Sequence, residues 1–176
     1  MSLEEKKPIV SIEDFTMKFG SKTVIDNLSF EINKGETFGL LGSNGSGKTT
    51  ILRALLGIYP ATKGKLLING KKFTPELGGK IGYLPEERGL YKKENVLDVM
   101  TYFGQLKGVE RQAAKEWSLE YLKRVDLEDK AKMKIDKLSG GQQQKVQLGV
   151  TIINNPEILI LDEPTKWFYP INLRLL

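Results

Sequence analysis

The feature that most constrains the fold of this chain is a glycine-rich segment between an apolar run and a helical pattern. The segment reads Gly42-Ser43-Asn44-Gly45-Ser46-Gly47-Lys48-Thr49. Residues 36–41 before it form a continuous apolar run, typical of a strand buried on both faces, and residues 49–56 carry apolar side chains at helical spacing. This order predicts an α/β fold whose parallel sheet carries a phosphate-binding loop, although the glycine segment alone could be an ordinary structural loop.

The residue types of this segment favour a bound polyphosphate. Its glycines tolerate positive φ and close backbone approach, so successive N–H groups can surround an anion, and the following helix adds partial positive charge at its N-terminus. Lys48 is expected to reach the β- and γ-phosphates, and the Thr49 hydroxyl to bind Mg²⁺. The predicted cofactors are therefore ATP and Mg²⁺. The predicted nucleotide-binding residues of this segment are Gly42, Ser43, Asn44, Gly45, Ser46, Gly47, Lys48, Thr49 and Thr50.

A second apolar run, residues 158–161, ends in two carboxylates, Asp162 and Glu163. Ligands of open α/β sheets collect at the carboxyl ends of the strands. Asp162 is expected to hold Mg²⁺, and Glu163 to orient or deprotonate an attacking water, because phosphoryl transfer needs a positioned nucleophile and charge neutralisation. Glu163 and Lys48 are the predicted catalytic residues. Taken alone, the pair would more simply mark a strand end that leaves the core.

The remaining pattern predicts the rest of the architecture. Short β-prone runs up to residue 32, broken by turns at residues 19–21 and 26–27, indicate an N-terminal antiparallel β region. Residues 95–125 are helical by periodicity, and a further helix is expected from Ser139 to about residue 153. The predicted divisions are a disordered leader (1–8), a β region with the loop core (9–85), an inserted helical subdomain (about 86–138) and a closing helix and strand (139–164).

Composition restricts the compartment and the partners. The chain of 176 residues has no cysteine and no histidine, which argues against disulfides and transition-metal sites and fits a cytosolic protein. Its apolar windows are too short to cross a membrane. The net charge of +5 could mark nucleic-acid binding, but charges of both signs are interspersed, so a solvated surface is the better interpretation. The alternating lysines at 130, 132, 134 and 137 are assigned no ligand.

The segment Leu138-Ser139-Gly140-Gly141-Gln142 begins the helix that precedes the carboxylate pair. Ser139 is a suitable N-cap, and two glycines would allow an anion to approach the free N–H groups of the first turn. For the pentapeptide alone, an ordinary helix start is the alternative. With the phosphate loop and the carboxylates in this order, residues 9–164 resemble the ATP-binding subunit of an ABC transporter, a P-loop NTPase, and the pentapeptide resembles the signature of that family.

The resemblance implies partners and a location. In such proteins two ATPase domains enclose two nucleotides, and each signature touches the ATP of the opposite subunit, which implies an ATP-dependent dimer with a second ATPase subunit. A transmembrane permease subunit would be driven by ATP binding and hydrolysis, so the chain would lie in the cytoplasm, peripheral to the inner face of the membrane. No nucleic-acid partner is expected. Soluble family members that act on ribosomes or DNA are the alternative class, but they usually carry paired ATPase halves or long coiled-coil insertions.

The resemblance also assigns roles to single residues. Phe19 stands where the family usually stacks an aromatic ring on adenine, with burial in the core as an equal alternative. Glu86 replaces the usual glutamine that contacts Mg²⁺, and a glutamate could still coordinate the ion. Residues 84–91 resemble subunits of exporters, including sodium-extrusion types. The permease is expected to dock on the helical subdomain, although core packing explains the apolar residues equally well. The residues concerned are Arg88, Leu90, Tyr91, Met100 and Phe103.

The pattern departs from the family after residue 165. Tyr169 occupies the position of an aspartate that links the two sites of the dimer, while Pro170 remains in register. The family's later strand would carry a histidine that contacts the γ-phosphate, and losing one such preorganised donor typically costs about 10² to 10³ in rate. The chain is therefore expected to be a C-terminally shortened or degenerate member. A nucleotide-binding module with little turnover is the alternative function.

Overall fold

The computed structural model describes residues 7–87 and 89–163, and the chain divides into two compact units, residues 1–75 and residues 76–176. The sequence-based expectations for residues 1–6 of the leader, for Arg88, for Tyr169 and for Pro170 lie outside the described residues. Within residues 7–87 and 89–163, none of the helices combines the length and apolarity needed to span a bilayer.

The described residues of the first unit, 7–75, form a three-stranded antiparallel sheet in the order β2-β1-β3 and the helix α1. Strands β1 and β2 are joined by a two-residue turn in which Gly20 has φ +59°, a left-handed conformation suited to a tight hairpin. The antiparallel β region is therefore confirmed. The elements are β1 (Val10–Phe19), β2 (Lys22–Ile32), α1 (Lys48–Leu55) and β3 (Lys63–Ile68).

The turn expected at residues 26–27 is wrong, because β2 continues through it as an irregularity. The β1–β2 register shifts between the pairs Phe15↔Leu28 and Met17↔Ile25, and Asn27 has φ +50°. An extra residue in one strand of a pair produces such a bulge without ending the ladder. The Asn27 N–H donates to the Thr16 hydroxyl at 3.2 Å, which satisfies a backbone group that the bulge removes from the ladder.

The buried strand expected at residues 36–41 is not formed. A strand needs hydrogen bonds to a neighbouring strand, and within the part of the chain that the structure describes no strand pairs with this run. The run has no regular secondary structure, and the Leu41 side chain is 97% exposed. Phe38 is also exposed, and its ring stacks on Phe30 of β2 with the ring centroids 4.8 Å apart.

The second unit combines a parallel strand pair with a helical cluster. Strands β4 and β5 pair in parallel, with Leu84 opposite Leu161. The helical pattern expected over residues 95–125 is realised as two helices separated near Gly108, which has φ +83°. Helix α2 lies where the chain passes from the first unit to the second. The elements are α2 (Pro75–Gly78), β4 (Ile81–Leu84), α3 (Val96–Leu106), α4 (Arg111–Arg124), α5 (Gly140–Ile152) and β5 (Ile158–Leu161), with short 3-10 turns at Glu128–Lys130 and Ile135–Lys137.

The core of the second unit lies between α3, α4 and α5. A Cβ added to Gly149 of α5 would lie 2.5 Å from Cε1 of Tyr121, so only glycine lets these helices approach as they do. Leu90 and Met100 are buried in this core, and the expectation that they face a membrane partner is wrong. Apolar side chains next to a helical stripe pack inward whenever a neighbouring helix covers them.

Candidate nucleotide site

The phosphate loop, residues 42–49, enters α1 through glycines in left-handed conformations. Gly45 has φ +80° and Gly47 has φ +98°. A Cβ on Gly47 would lie 2.5 Å from Cδ1 of Ile25, so this position is restricted by space as well as by φ. Gly47 is also the N-cap of α1, and no side chain caps the helix there. The backbone of an α-helix offers no acceptor to the N–H groups of its first turn, which here follow directly after the loop.

The other half of the loop folds tightly on itself. The Ser46 N–H donates to the Ser43 carbonyl at 3.2 Å, and a Cβ on Gly42 would lie 2.6 Å from the Ser46 hydroxyl. The Lys48 ammonium donates to the carbonyls of Gly42 at 2.9 Å and Ser43 at 3.2 Å. Its charge is thus held beside the loop. The first turn of α1 contains no acidic residue of its own, and negative charge near a helix N-terminus is favourable.

The other residues expected to bind the nucleotide here also belong to the first unit. Asn44 is exposed in the loop, and Thr49 and Thr50 are half-buried in the first turn of α1. Phe19 ends β1 and is 47% exposed, so core burial, the alternative for this residue, is wrong. The exposed ring is available for stacking, and its edge contact with Tyr59 has ring centroids 5.5 Å apart.

The carboxylates lie at the carboxyl edge of the parallel strands of the second unit. Asp162 follows β5, and its N–H donates to the Leu84 carbonyl at the end of β4 at 2.9 Å. Because Leu84 pairs with Leu161, Glu86 leaves the same edge as Asp162 and Glu163. Three of the residues expected to bind metal or to act in catalysis are therefore brought to one edge.

The two strand-end carboxylates differ in their surroundings. Asp162 is 3% exposed, whereas Glu163 is half-buried and has φ +52°. A left-handed backbone is uncommon for glutamate and costs roughly 1–2 kcal/mol. The strand itself is less buried than its apolar sequence indicates, since Leu159 is 44% exposed and only Ile160 is buried.

Sequence reasoning missed the polar face of α5 that supports this edge. Gln147 is 3% exposed, and its Nε2 donates to the Glu87 carbonyl at 3.1 Å, which holds the loop that carries Glu86. The Thr151 hydroxyl, also buried, donates to the Gln147 carbonyl at 2.8 Å. A glutamine among the apolar positions of a helix is the sequence pattern that could have revealed this support, because a buried side-chain amide requires hydrogen-bond partners.

The signature segment forms the N-terminus of α5 as expected. The Ser139 hydroxyl accepts the Gln142 N–H at 3.3 Å, and the Gln142 side-chain oxygen accepts the Ser139 N–H at 2.8 Å. The sequence predicted that the N–H groups of this first turn would be free for an anion, but the reciprocal capping already occupies the Gln142 N–H. Helix geometry still leaves the amides of Gly140 and Gly141 without an intrahelical acceptor. Leu138 is 5% exposed and anchors the segment in the core.

The donor set fits a hard divalent cation. Thr49, Glu86 and Asp162 offer only oxygen atoms, which Mg²⁺ prefers over nitrogen or sulfur. Thr49 belongs to the first unit and the carboxylates to the second. Within residues 7–87 and 89–163, no three histidine, cysteine or acidic side chains gather closely enough to form a metal site by themselves. The fit therefore rests on the chemistry of the donors and on the close-packed glycine loop.

A glycine nest that leads into an uncapped helix, with lysine as the first helical residue, is typical of phosphate-loop nucleotide-binding proteins. The family model described as ABC transporter matches residues 25–166. The chain belongs to this family of ATPases.

Relatives and solved structures support the assignment. The chain is 47% identical over 171 residues to an uncharacterized ABC transporter ATP-binding protein of Methanocaldococcus jannaschii, covering 97% of this chain and 62% of that protein. It is 35% identical over 165 residues to the linearmycin resistance ATP-binding protein of Bacillus subtilis, covering 92% of this chain and 53% of that protein. The chain thus spans roughly half to three-fifths of the length of these relatives.

One solved structure, an ATP binding subunit of an ABC transporter, superposes with a TM-score of 0.84 at 22% identity and covers 94% of this chain and 70% of its own. The similarity shows the fold, and it confirms the predicted α/β class with an N-terminal antiparallel sheet, a parallel sheet and several helices.

Proposed function

We propose that this chain binds ATP with Mg²⁺ at the phosphate loop and acts as the ATP-binding subunit of an ABC transporter. The observation that carries the proposal is the loop itself: Gly45 and Gly47 adopt positive φ, and the uncapped helix α1 follows with Lys48 at its first position. A polyphosphate matches the amide donors, the helix terminus and the ammonium at once. Family membership supports the same conclusion.

Some of the expected site residues bind the nucleotide and Mg²⁺, and Glu163 takes part in proton transfer. Lys48 and the amides of residues 42–50 hold the β- and γ-phosphates, and Phe19 provides a stacking surface for adenine. Thr49, Asp162 and Glu86 would hold Mg²⁺, which neutralises charge on the phosphate oxygens. Glu163 orients the attacking water and accepts its proton, a role that suits a carboxylate at a strand end next to the metal ligands.

The signature segment supports a second subunit. The amides of Gly140 and Gly141 project from the N-terminus of α5, where an anion would complete their hydrogen bonding. In the proposed assembly that anion is the γ-phosphate bound by a second ATPase subunit, so ATP bridges two helix termini and its hydrolysis removes the bridge. Dimerisation is therefore expected to depend on ATP.

The helical part of the second unit offers a surface for the permease. Tyr91 and Tyr102 are exposed and contact each other with ring centroids 5.7 Å apart, and Phe103 packs beside both. Leu106 adds a 62% exposed side chain to the same helix. Aromatic residues are enriched where proteins bind partners. A membrane subunit docked on this aromatic surface would place the chain at the cytoplasmic face of the membrane; the direction of transport stays a prediction from the sequence.

Replacement of the phosphate-loop lysine tests the binding site. Lys48→Ala is expected to weaken binding of Mg²⁺-ATP about a hundredfold or more, because it removes a charge from the phosphates and from the loop carbonyls. The affinity is measured by isothermal titration calorimetry, with Lys34→Ala, an exposed lysine of the same unit, as the matched control. Binding of ATP by Lys48→Ala with wild-type affinity would contradict the site.

Hydrolysis is tested separately from binding. Glu163→Gln is expected to reduce steady-state phosphate release by about 10² or more while the dissociation constant for ATP changes little, since the amide cannot accept the water proton. If the wild-type chain binds ATP but releases no phosphate above the Glu163→Gln level, the alternative of a nucleotide-binding module with little turnover is favoured.

A further inference from the structure

An aromatic pair connects the end of β1 with the chain that leaves α1. Phe19 and Tyr59 meet at nearly right angles, 83° between ring planes and 5.5 Å between centroids. An edge-to-face pair of this kind is favourable and restricts the rotation of both rings. Because Phe19 remains 47% exposed, the contact leaves part of its ring open. Tyr59 is thus placed to fix the orientation of a ring that still has a free surface.

Tyr59 is itself held by the helix that follows the phosphate loop. Arg53, in the last turn of α1, donates from Nη1 to the Tyr59 hydroxyl at 3.1 Å, and its guanidinium carbon lies 5.9 Å from the Tyr59 ring centroid. The backbone closes the same connection, since the N–H groups of Ile58 and Tyr59 both donate to the Arg53 carbonyl. The ring is therefore tied to α1 through its hydroxyl, its face and its backbone.

The connector after Tyr59 is also tied to β1. The Thr62 N–H donates to the Thr16 carbonyl at 3.1 Å, and the Thr62 hydroxyl accepts the Lys18 N–H at 3.0 Å. These two bonds hold the connector beside the strand that ends in Phe19. The position of Phe19 relative to α1 is consequently set by a continuous set of contacts within one unit.

We infer that Tyr59, supported by Arg53, is a positioning residue that orients Phe19 for the base of a bound nucleoside triphosphate. The inference rests on the proposed ATP site and names a residue that determines how tightly this site binds the base. The same helix that presents its N-terminus to the phosphates carries, at its other end, the contacts that set the ring for the base. Pre-orientation lowers the ordering cost of stacking, so its loss affects binding of the base and leaves binding of the phosphates unchanged.

The test compares two probes, Mg²⁺-ATP and inorganic tripolyphosphate, which offers the phosphates without a base. Tyr59→Ala is expected to raise the dissociation constant for ATP about two- to tenfold, the range expected for one aromatic pair. The dissociation constant for tripolyphosphate should stay unchanged. Tyr59→Phe retains the ring edge and should recover most of the ATP affinity. If the alanine protein does not fold, Tyr59→Leu, which fills the site without an aromatic edge, should show the same selective loss of ATP affinity. Leu119→Ala, which shortens an exposed apolar side chain of α4, is the control.

A double variant separates positioning from direct contact. If Tyr59 acts through Phe19, Tyr59→Ala adds no further loss of ATP affinity in a Phe19→Ala background. Additive losses, equal losses for ATP and tripolyphosphate, or a Phe19→Ala effect without any Tyr59→Ala effect would overturn the inference. A Phe19→Ala protein that still prefers ATP over tripolyphosphate as the wild type does would instead remove the stacking role of Phe19. Wild-type protein that binds neither probe would remove the phosphate site.

Discussion

The two glycine-rich helix N-termini of this chain are built in opposite ways. Helix α1 begins after Gly47, whose φ is +98°, and no side chain caps it. Helix α5 begins after Ser139, and a reciprocal pair of hydrogen bonds between Ser139 and Gln142 caps it. Both sequences combine glycine with serine, and both were expected to present free amides to an anion.

The difference separates a helix terminus that has no side-chain cap from one that its own side chains cap. At α5 the side chains already satisfy two amides, so an anion there adds to a helix that is complete. At α1 the loop holds the backbone in left-handed conformations, and the first turn of the helix has no acidic residue of its own. Such an arrangement costs conformational free energy and is stabilised when an anion binds.

Replacement of the left-handed glycine of α1 is expected to have the largest effect at either helix N-terminus. Gly47→Ala is expected to weaken ATP binding more than tenfold and to lower the free energy of unfolding by about 1–2 kcal/mol, because alanine disfavours φ near +98° and its Cβ would meet Ile25. Calorimetry and urea denaturation measure the two effects.

Gly39→Ala is the matched control for this variant, since Gly39 lies in the segment before the loop and a Cβ there would have nothing within 4 Å. It should leave both measurements within error. Wild-type ATP affinity in Gly47→Ala would show that the left-handed conformation is not needed for binding.

A second variant tests how far α5 depends on packing rather than on its terminus. Gly149→Ala is expected to destabilise the chain by about 1–2 kcal/mol: the new methyl group would lie 2.5 Å from Cε1 of Tyr121, and this overpacking exceeds the gain in helix propensity. The cost, measured by urea denaturation, should shrink in a Tyr121→Leu background, where the ring is absent. An equal cost in both backgrounds would mean that the ring is not the source of the strain.

The contrast between the termini also shows what the sequence could predict. The positions of α1, β4, α5 and β5 follow closely from periodicity and from Gly57 and Ser139, because local signals mark helix ends. The register that brings Glu86 to the edge with Asp162 follows from two parallel strands. The absence of a paired strand at residues 36–41 could not be predicted, since a strand depends on partners distant in sequence. The role of Gln147 could not be predicted either, because its hydrogen-bond partner, the Glu87 carbonyl, is also distant in sequence.

Removal of the serine cap of α5 is expected to have a smaller effect. Ser139→Ala is expected to lower the free energy of unfolding by about 1 kcal/mol, while the affinity of the single chain for ATP is unchanged. Urea denaturation and calorimetry measure the two quantities. Because the capping bonds are reciprocal, Gln142→Ala should cost less in the Ser139→Ala background than in the wild type. Parallel loss of ATP affinity in Ser139→Ala would mean that the capped terminus contributes to binding within one chain.

The smallest expected effect concerns the other ends of the same two helices. Helix α1 has Arg53 in its last turn, whereas the last turn of α5 has no basic residue of its own. The α5 carbonyl of Thr151 instead accepts a hydrogen bond from the Lys107 ammonium at 2.7 Å, and Lys107 follows the C-terminus of α3. A cation at a helix C-terminus is favourable, but this one is partly withdrawn from water.

Burial lowers the pKa of Lys107 from its ordinary value of 10.5 to about 8. The folded chain therefore disfavours the charged form, and this cost is fully present below about pH 8, where both states are protonated. Between pH 8 and 10.5 the unfolded chain binds more protons than the folded chain, so the free energy of unfolding should rise with pH in this window.

Urea denaturation at pH 7 and pH 9.5 should show this rise relative to Lys107→Met. Lys115→Met, which replaces an exposed lysine of α4, controls for the loss of a surface charge. The stability difference between wild type and Lys107→Met could instead be the same at both pH values. That result would show that the contact with the Thr151 carbonyl keeps the Lys107 ammonium charged at the C-terminus of α5.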